Sequence, residues 1–404
     1  MKILEEIRPS EEERKKVKNL IDSVFKSIKV KEAKLELGGS YAKDTFLSGN
    51  YDIDVFVKFP YEKYKDKDIS KILDKGIRIK HKKLHGSRDY FQFQKEKYTF
   101  EFIPVLDIKN SKNARNITDV SPLHKKWVVK NLKNHDDVRL MKKFCRAQEV
   151  YGAESYIKGF SGYVLEILIV NYGNFLNAMK NISAWKLPVC IDVKKYYKSK
   201  EEAFKKINKS KRENELLIID PTQKDRNAAA AISKEKIEIL INSCKNYLHN
   251  PSEDFFVEKT INIEDLKVES AGNKLLLIRV NPVKGKKDVV GSKLLKSYSY
   301  IESSLKKFDF KVIKSGWSFD HNSVFYYIVK DETLSDTVIH YGPPIEHENY
   351  VAKFRKKHKN TRVKDGKIFV EKRRKVKNLK VFSKVIEKDE YLKDKIKNIK
   401  INIF

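Results

Sequence analysis

Hydrophobic positions near the start of the chain switch between helical and strand-like spacing. Ser10 and Glu13 have the spacing of a capping box, and apolar residues then recur at helical intervals from Val17 to Ile28. Beyond this helix the pattern predicts strands at Lys34–Leu37 and Tyr51–Phe59, a helix at Ile69–Leu84, and a hairpin of Tyr90–Gln94 with Tyr98–Ile108. Residues 1–120 are therefore predicted to form a small α/β domain.

The middle of the chain has mostly helical periodicity, and the last part returns to a mixed pattern. Apolar faces at helical spacing occur at Val138–Val150, Gly162–Met179 and Ala228–Leu248, within a predicted helical domain of residues 121–252. Residues 253–350 offer a strand at Lys274–Val280, a helix at Lys293–Lys306, and strands at Phe308–Lys314 and Val324–Lys330. This β-α-β-β order is typical of a ferredoxin-like or RNA-recognition-motif-like layer. In residues 351–404, Asp365 and Gly366 give a hairpin turn signal between Thr361–Lys364 and Lys367–Glu371.

Length and charge narrow the class of protein. At 404 residues the chain should hold two to four domains, which together with the mixed pattern predicts a multidomain α+β protein. Lys and Arg number 86 against 55 Asp and Glu, a net charge of +31. A protein that binds a polyphosphate needs such a charge, whereas an enzyme acting on small neutral metabolites does not. A lysine-rich surface that is merely solvated is the alternative.

Cysteine usage and hydropathy exclude further classes of protein. The three cysteines, Cys145, Cys190 and Cys244, have no metal-type spacing and are an odd number, which excludes a small disulfide scaffold. The N-terminus lacks the apolar core of a signal peptide. The longest apolar run, from Tyr163 to Val170, is interrupted by Glu166 and is far too short to span a bilayer. These features predict a cytoplasmic protein with no membrane partner.

The stretch Gly38–Phe59 carries the strongest candidate chemistry. Asp52 and Asp54 lie two apart on a predicted strand, so their carboxylates point to one face. Like charges placed together are unfavourable without a cation between them, and a hard divalent cation such as Mg²⁺ suits oxygen ligands. Gly39 and Ser40 lie on the preceding turn, where backbone N–H groups and a hydroxyl suit a triphosphate. A D-x-D pattern alone more often marks a solvated strand face.

A third carboxylate would complete a two-metal site. Glu101 is a charge inside the otherwise apolar run Tyr98–Pro104, where burial without a partner would be costly. An edge-strand Glu101 facing water is the alternative interpretation. Asp107 is a second candidate for the third ligand, although it follows Pro104, where the strand should be ending.

With these residues the chain resembles the DNA polymerase β-type nucleotidyltransferases and, more narrowly, the archaeal class I CCA-adding enzymes (tRNA nucleotidyltransferases). The resemblance rests on Gly39–Phe59 and on further stretches that follow in order through most of the chain. These are Ser121–Trp127, Val138–Lys142, Val150–Glu154, Gly159–Tyr163, Asp220-Pro221 with Arg226-Asn227, and Tyr341–Pro344. Any one of them is weak, but together they are specific.

The resemblance implies a nucleotidyltransferase (polymerase β-like) head, a helical neck, an RRM-like body and a basic C-terminal tail. Asp52, Asp54 and Glu101 would hold two Mg²⁺ ions, one lowering the pKa of the RNA 3′-hydroxyl and one supporting pyrophosphate departure. The residues that would bind the nucleotide are Gly39, Ser40, Lys43, Ser121, His124, Lys142, Tyr151 and Arg226.

Several of these roles rest on the resemblance alone. Without it, Lys142 would be an ordinary exposed helix lysine, His124 a helix-start histidine and Tyr151 a core or helix-end aromatic residue. Arg226 would be an arginine at a helix start that contacts solvent. In the family, an arginine at this position takes part in choosing C or A over U or G, a task that suits a planar, permanently charged donor.

The sequence departs from the family pattern in four places. Lys43 stands where arginine is more usual, Glu101 where aspartate is more usual, and Ser121 where threonine is usual. The stretch beyond Asn378 is shorter and richer in lysine than the family's C-terminal region. The difference beyond Asn378 affects how the far end of the tRNA would be held.

The segment Lys353–Lys377 supports RNA as the partner. It contains thirteen Lys or Arg residues and two acidic residues, with Phe354, His358 and Phe369 between them. Phosphate contacts plus a few stacking rings suit a structured RNA, whereas a disordered basic tail is the alternative.

The sequence thus predicts a template-independent, Mg²⁺-dependent enzyme that adds or repairs the 3′-terminal CCA of tRNA with CTP and ATP. Its partner would be the acceptor arm and 3′ end of tRNA, and the oligomeric state, a homodimer included, stays open. The alternatives are a poly(A) polymerase-like enzyme that adds only A, a non-catalytic RNA-binding protein on the same fold, and a transferase acting on a small molecule or a protein.

Overall fold

The computed structural model describes residues 2–319, 323–330 and 334–404. These residues separate into two compact units, one ending at Lys259 and the other spanning Thr260–Phe404. The first unit is built from a sheet-based part followed by a mainly helical part, and each part has its own hydrophobic core. A further core lies in the second unit. The molecule is therefore a mixed α+β protein.

The sheet-based part of the first unit is a mixed sheet with helices packed on it. Its elements are α1 (Lys2–Ile7), α2 (Glu11–Phe25), β1 (Lys34–Leu37), α3 (Gly39–Ala42), β2 (Asp52–Pro60), α4 (Tyr61–Tyr64), α5 (Ile69–Gly76), β3 (Lys82–Leu84), β4 (Tyr90–Lys95) and β5 (Tyr98–Asp107). Of these, α1 packs through Ile3 and Ile7 into the core of the helical part rather than onto the sheet. The strands lie in the order β1-β2-β5-β4-β3, and only β2 and β5 are paired in parallel. Ile53, Val55 and Val57 alternate along β2 and are fully buried on one face, which places Asp52 and Asp54 on the other face together with the buried Phe56.

The helical part of the first unit surrounds a small three-stranded sheet. Its elements are α6 (Ser121–Asn131), α7 (His135–Ala147), α8 (Gly162–Tyr172), α9 (Phe175–Ser183), β6 (Val189–Ile191), α10 (Lys200–Lys206), β7 (Leu216–Asp220), β8 (Gln223–Asn227) and α11 (Lys234–His249). Phe144 of α7, Leu165 of α8 and Leu240 of α11 lie fully buried in one core. Helices α7 and α11 turn an apolar face toward it, whereas α8 is buried on all sides from Val164 to Ile169.

The second unit contains two sheets. Its elements are α12 (Ile263–Glu269), β9 (Asn273–Pro282), α13 (Lys287–Lys307), β10 (Val312–Ser318), β11 (Val324–Lys330), β12 (Thr337–Pro344), α14 (Glu348–Lys357), β13 (Arg362–Lys364), β14 (Lys367–Arg373), α15 (Leu379–Glu387), α16 (Glu390–Lys393) and β15 (Ile396–Ile403). One sheet is antiparallel with the order β10-β11-β9-β15, the strand order of a ferredoxin-like split βαβ layer. The other has the order β12-β14-β13.

Two helices end earlier than their hydrophobic spacing predicts. The helix predicted at Ile69–Leu84 ends at Gly76, because Ile77 is extended and forms a β-bridge with Ile28, while the Gly76 carbonyl accepts a 2.8 Å hydrogen bond from the Lys29 N–H. The helix predicted at Gly162–Met179 is two helices, separated at Gly173, whose φ of +89° is left-handed and ends α8. Backbone conformation, rather than the apolar pattern, sets both ends.

Two predicted starts are also displaced. The helix predicted from Ala228 begins only at Lys234, where the Ser233 side chain accepts a hydrogen bond from the Lys236 N–H and caps it. The strand predicted at Phe308–Lys314 begins at Val312, because α13 runs to Lys307 and Asp309 turns the chain with a φ of +69°.

The C-terminal residues are not a separate tail. Ile396–Ile403 forms β15, which pairs antiparallel with β9 of the ferredoxin-like sheet, and Phe404 exchanges two backbone hydrogen bonds of 2.9 Å with Leu275. The boundary predicted at residue 351 therefore cuts through a sheet, because the strand that completes the sheet comes last in the chain. The Asp365-Gly366 hairpin is confirmed, since both turn residues have positive φ and join β13 to β14.

Candidate active site

The predicted metal ligands lie on the two parallel central strands. The register of β2 and β5 places Asp54 directly beside Glu101, and Asp52 beside Thr99. Asp52 is exposed, whereas Asp54 and Glu101 are partly buried, and Gln92 donates a 3.0 Å hydrogen bond to Glu101. Glu101 is thus on a central strand rather than an edge strand. The structure therefore brings two of the predicted carboxylates side by side and places the third two register positions away along β2.

The carboxylate pair is electrostatically strained without a cation. Burial and, next, the charge of Glu101 raise the pKa of Asp54 to about 7. Within residues 2–319, 323–330 and 334–404, no three His, Cys, Asp or Glu side chains are arranged closely enough to hold a metal ion as they stand. A divalent cation would relieve the repulsion between Asp54 and Glu101, and carboxylate oxygens are its preferred ligands. The donor set fits such an ion.

Asp107 does not belong to this group. It ends β5, and its carboxylate lies 2.9 Å from the Lys58 ammonium, which is also 3.0 Å from Glu36. Asp107 is therefore part of an ion-pair network at the far end of the strand. The structure gives no support to Asp107 as the alternative third ligand.

The glycine turn is built against the carboxylates. Gly39 has a φ of +56°, and a Cβ there would lie 1.8 Å from Asp54 Oδ2, so only glycine fits. Ser40 follows it in the short helix α3, and the Gly38 N–H donates a 2.8 Å hydrogen bond to the Asp54 carbonyl. The turn thus packs Gly38 and Gly39 directly against Asp54, and Ser40 is the next residue along the chain.

Lys43 and Lys142 lie in one buried cluster near the carboxylates. Lys142, on α7, is 4% exposed and donates hydrogen bonds to the carbonyl (2.7 Å) and hydroxyl (3.1 Å) oxygens of Thr45. Lys43 donates a 2.6 Å bond to Glu166 and lowers the pKa of Asp54, which places it within electrostatic reach of the carboxylates. Lys142 is therefore buried rather than an ordinary exposed helix lysine.

Tyr151 lies beside this cluster. A Cβ on Gly162 would meet the Tyr151 hydroxyl at 3.2 Å and the Lys142 ammonium at 3.7 Å, so both polar ends lie against the start of α8. Burial raises the pKa of Tyr151, so its hydroxyl stays protonated and can donate. The structure brings three of the predicted phosphate-binding residues together.

His124 and Arg226 meet at a second buried carboxylate. Asp220 is fully buried, with His124 Nε2 at 2.9 Å and Arg226 Nη1 at 2.5 Å from its Oδ2. The Tyr163 hydroxyl donates to its Oδ1 at 3.1 Å, and the Tyr163 ring stacks on His124 with centroids 4.2 Å apart. Although burial raises the pKa of Asp220, His124 and Arg226 hold it well below its usual range. Asp220 is therefore a fixed anion that orients both residues.

Arg226 lies on β8, not at a helix start. Its side chain is one-third exposed and lines a cavity of about 840 Å³ with Ser111, Ile117, Tyr196 and Thr222. A space of this size can accept a nucleotide or an RNA end. Ser121 is the first residue of α6, one turn before His124.

Sequence reasoning missed three residues that organise the site: Glu166, Asp220 and Thr45. Glu166 carried a signal, because it is the only charge in an apolar helical run. Asp220 follows four apolar strand residues, a weaker signal of the same kind. Thr45 carried none, since its role depends on partners far away in the sequence.

Comparison with known proteins matches three successive parts of the chain to domains of nucleotidyltransferases. Family profiles match residues 17–120 (nucleotidyltransferase domain), 136–257 (tRNA nucleotidyltransferase, second domain) and 272–399 (CCA-adding enzyme, C-terminal domain). A CCA-adding enzyme of Nanoarchaeum equitans is 33% identical over 84% of each chain. The CCA-adding enzyme of Methanosarcina mazei is 32% identical over 88% of this chain and 80% of its own. That of Methanococcus maripaludis is 30% identical over 94% of this chain and 88% of its own.

Solved structures show the same fold at low identity. The poly(U) polymerase Cid1 superimposes with a TM-score of 0.50 and 13% identity, covering 64% of this chain and 97% of its own. This likeness concerns the nucleotidyltransferase fold alone. In the described part of the chain, no helix has both the length and the hydropathy needed to cross a bilayer.

Proposed function

The chain belongs to the CCA-adding enzyme family, and we propose that it adds or repairs the 3′-terminal CCA of tRNA at the site in its first unit. The reaction transfers CMP and AMP from CTP and ATP to the RNA 3′-hydroxyl without a template and releases pyrophosphate. The observation that carries the proposal is 33% identity to a CCA-adding enzyme over 84% of each chain. The site geometry supports the same chemistry.

The carboxylates fit the metal requirement of this reaction. Asp52, Asp54 and Glu101 would hold two Mg²⁺ ions, which supply a lowered pKa for the 3′-hydroxyl and charge neutralisation for the pyrophosphate. Support comes from the raised pKa of Asp54, which marks a carboxylate whose charge lacks compensation. Gly39 lets the turn backbone approach these residues closely.

The triphosphate would lie over the glycine turn and the buried lysine cluster. The turn residues Gly39 and Ser40 would bind it through a backbone N–H and a hydroxyl, Lys43 and Lys142 through their ammonium groups, and Tyr151 through its hydroxyl. The support for this assignment is that Lys142 and Tyr151 both face the start of α8.

The base and ribose would be read from the neck side of the site. Arg226 presents a planar donor fork to the 840 Å³ cavity, and Asp220 fixes its orientation. His124 and Ser121, on α6, would contact the nucleotide from the adjacent helix. A guanidinium held in place by a buried carboxylate can donate hydrogen bonds only to a base edge whose acceptor atoms lie in matching positions. This requirement is the basis for preferring C or A.

The domain roles follow the same proposal. Residues 1–120 would be the catalytic head, residues 121–252 the neck, and residues 253–350 the RRM-like body, with β15 added to the body from the region assigned to the tail. The tRNA backbone well away from the acceptor end would lie along the basic surface of Lys353–Lys377, far in the sequence from the catalytic carboxylates.

A direct incorporation assay tests the proposal. Purified protein is incubated with Mg²⁺, radiolabelled CTP or ATP, and tRNA ending before the first C, after C, or after CC. We expect C to be added to the first two substrates and A only to the third. Addition of A to all three would indicate the poly(A) polymerase-like alternative, and no addition would indicate a non-catalytic RNA-binding protein.

A further inference from the structure

Glu166 is a carboxylate inside an apolar helix. Its neighbours on α8, Leu165, Ile167 and Leu168, are fully buried, and Glu166 itself has no exposed surface. Burying a charge in such surroundings is costly unless it is paired and hydrogen-bonded. Glu166 therefore needs partners, and the roles proposed above for the nucleotide-binding residues do not include it.

Both oxygens of Glu166 are occupied by groups from the head. Lys43 Nζ donates to Oε2 at 2.6 Å, and the Thr45 hydroxyl donates to Oε1 at 2.8 Å. The same hydroxyl, together with the Thr45 carbonyl, accepts from Lys142 Nζ. One carboxylate thus holds one ammonium directly and a second through a single threonine.

We propose that Glu166 is the positioning residue for the triphosphate-binding lysines. It keeps Lys43 and Lys142 ordered side by side, and its negative charge offsets the repulsion between the two ammonium groups. Two ammoniums and one carboxylate leave one excess positive charge, which a nucleotide triphosphate neutralises. This inference rests on the proposed function, because it assigns the triphosphate as the ligand of the two lysines.

The charges around Lys142 support this arrangement. Burial lowers the pKa of Lys142 to about 7, and the Glu166 carboxylate is the group that acts most strongly in the opposite direction. The charged or titratable groups that face Lys142 are Glu166, Lys43, Arg139, Arg146 and Tyr151. Only Glu166 among them favours the charged lysine. Without its charge, Lys142 would lose its proton at a lower pH, and phosphate binding would weaken there.

The test is Glu166→Gln, which keeps the side-chain shape and one acceptor oxygen but removes the charge. Binding of labelled ATP, and its displacement by inorganic tripolyphosphate, is measured between pH 6 and 8.5 for both proteins. We expect ATP and tripolyphosphate to bind roughly ten- to a hundredfold more weakly, the loss typical of a charged hydrogen bond. The weakening should begin at a lower pH than in the unaltered protein. Glu166→Asp, which restores the charge, should recover part of the affinity.

Two comparisons keep the test decisive. Glu36→Gln is the control, because Glu36, like Glu166, accepts a hydrogen bond with each of its oxygens, but its donors, Lys58 and Lys125, lie outside this cluster; it should leave ATP binding unchanged. Thr45→Val removes the hydroxyl that joins Glu166 to Lys142 but keeps the Glu166 charge and the backbone carbonyl that Lys142 contacts, and should weaken tripolyphosphate binding severalfold. If Glu166→Gln does not fold, the tripolyphosphate affinity of Thr45→Val tests the inference in its place.

Unchanged tripolyphosphate affinity and pH dependence in both Glu166→Gln and Thr45→Val would overturn the inference and leave Glu166 a packing residue. An equal loss of tRNA affinity would overturn it too, since the lysines would then serve the fold rather than the triphosphate. Failure of the proposed function is a separate result. In that case the unaltered protein adds no CMP or AMP to tRNA, whatever its affinity for tripolyphosphate.

Discussion

At the scale of single residues, the site is defined by buried carboxylates that differ in their partners. Asp54 has another carboxylate beside it, Glu166 has a lysine and a hydroxyl, and Asp220 has an arginine and a histidine. The pKa moves accordingly, upward for Asp54 and downward for Asp220. An unpaired buried carboxylate indicates a missing cation, whereas a paired one indicates a scaffold.

Replacing Asp54 should therefore remove chemistry and spare RNA binding. We expect Asp54→Ala, and equally Asp52→Ala, to abolish incorporation of both CMP and AMP, because metal-bound carboxylates serve the chemical step. The dissociation constant for tRNA should change less than about threefold, since affinity for RNA comes from distributed phosphate contacts. Incorporation assays and filter binding measure the two quantities.

Asp107→Asn is the matched control for this change. It removes a carboxylate from the same pair of strands, but one that is paired with Lys58 away from the site. Incorporation should survive in this variant. Full turnover by Asp54→Ala would contradict the assigned metal site.

Replacing Arg226 should change which nucleotide is chosen. We expect Arg226→Ala to impair CTP and ATP use together and to relax discrimination against UTP, by about 1.5–3 kcal/mol or roughly ten- to a hundredfold. Asp220→Asn should have a smaller effect in the same direction, because it loosens the guanidinium without removing it. The measurement is the ratio of CTP to UTP incorporation into tRNA lacking CCA.

Asp225→Asn is the control for Asp220→Asn, since Asp225 is exposed, lies beside Arg226 on β8 and loses the same negative charge. Its CTP to UTP ratio should equal that of the unaltered protein. An unchanged ratio in Arg226→Ala would assign Arg226 a structural role only.

At the scale of elements, the last strand belongs to the body of the second unit. β15 pairs with β9 over most of its length, and Ile396 is almost fully buried beneath it. An edge strand that fills one side of a sheet contributes hydrophobic burial as well as ladder hydrogen bonds. The C-terminus should therefore be necessary for stability, in contrast to a disordered basic tail.

Removal of residues 396–404 should destabilise the second unit. We expect the free energy of unfolding to fall by about 3 kcal/mol or more, from the loss of partly and fully buried isoleucines. Thermal unfolding followed by circular dichroism measures the change. Lys397→Gln with Lys400→Gln alters two exposed positions of the same strand and should leave the melting temperature unchanged. Equal melting of truncated and full-length chains would show that β15 is dispensable.

At the scale of the whole molecule, part of the net charge of +31 is concentrated in one segment of the chain. The basic segment Lys353–Lys377 is ordered as part of α14, β13 and β14, and most of its cations are exposed. Arg374 differs, because it pairs with Asp309 and donates a 3.0 Å hydrogen bond to the Ser335 carbonyl. Arg374 therefore holds the fold together and is a poor choice for testing RNA contact.

Neutralising exposed cations of this segment should weaken tRNA binding selectively. We expect Arg355→Gln, Lys356→Gln and Lys357→Gln together to raise the KM for tRNA and to leave the KM for ATP nearly unchanged. Each lost phosphate contact should flatten the log–log salt dependence of binding by roughly 0.7–0.9 units. A minihelix lacking the rest of the tRNA should be less sensitive than full tRNA, because it would not reach the segment.

The matched control removes three exposed lysines from another surface, Lys15, Lys18 and Lys26. These changes should leave the KM for tRNA close to its original value. If both triple variants weaken binding equally, the effect comes from net charge rather than from this segment. Equal losses for minihelix and tRNA would place the segment near the active site.

Local chemistry in the sequence determined the family, the two strand carboxylates, the glycine turn and the basic segment. The D-x-D pattern requires only the two-residue period of a strand, and the Asp-Gly turn only two residues with positive φ. Such features depend on neighbours a few positions away. They could therefore be predicted without knowing the fold.

Tertiary structure alone decided the partners of the buried charges and the boundary of the second unit. Glu166 meets Lys43 across 123 positions, and Lys142 meets Thr45 across 97, so no local spacing could reveal that a lysine on a helix is buried. Glu101 became central rather than peripheral only because β5 pairs with β2. β15 joined the sheet only because β9 leaves an edge for it. The energy of a charge depends on what surrounds it in space, and only the folded chain provides those surroundings.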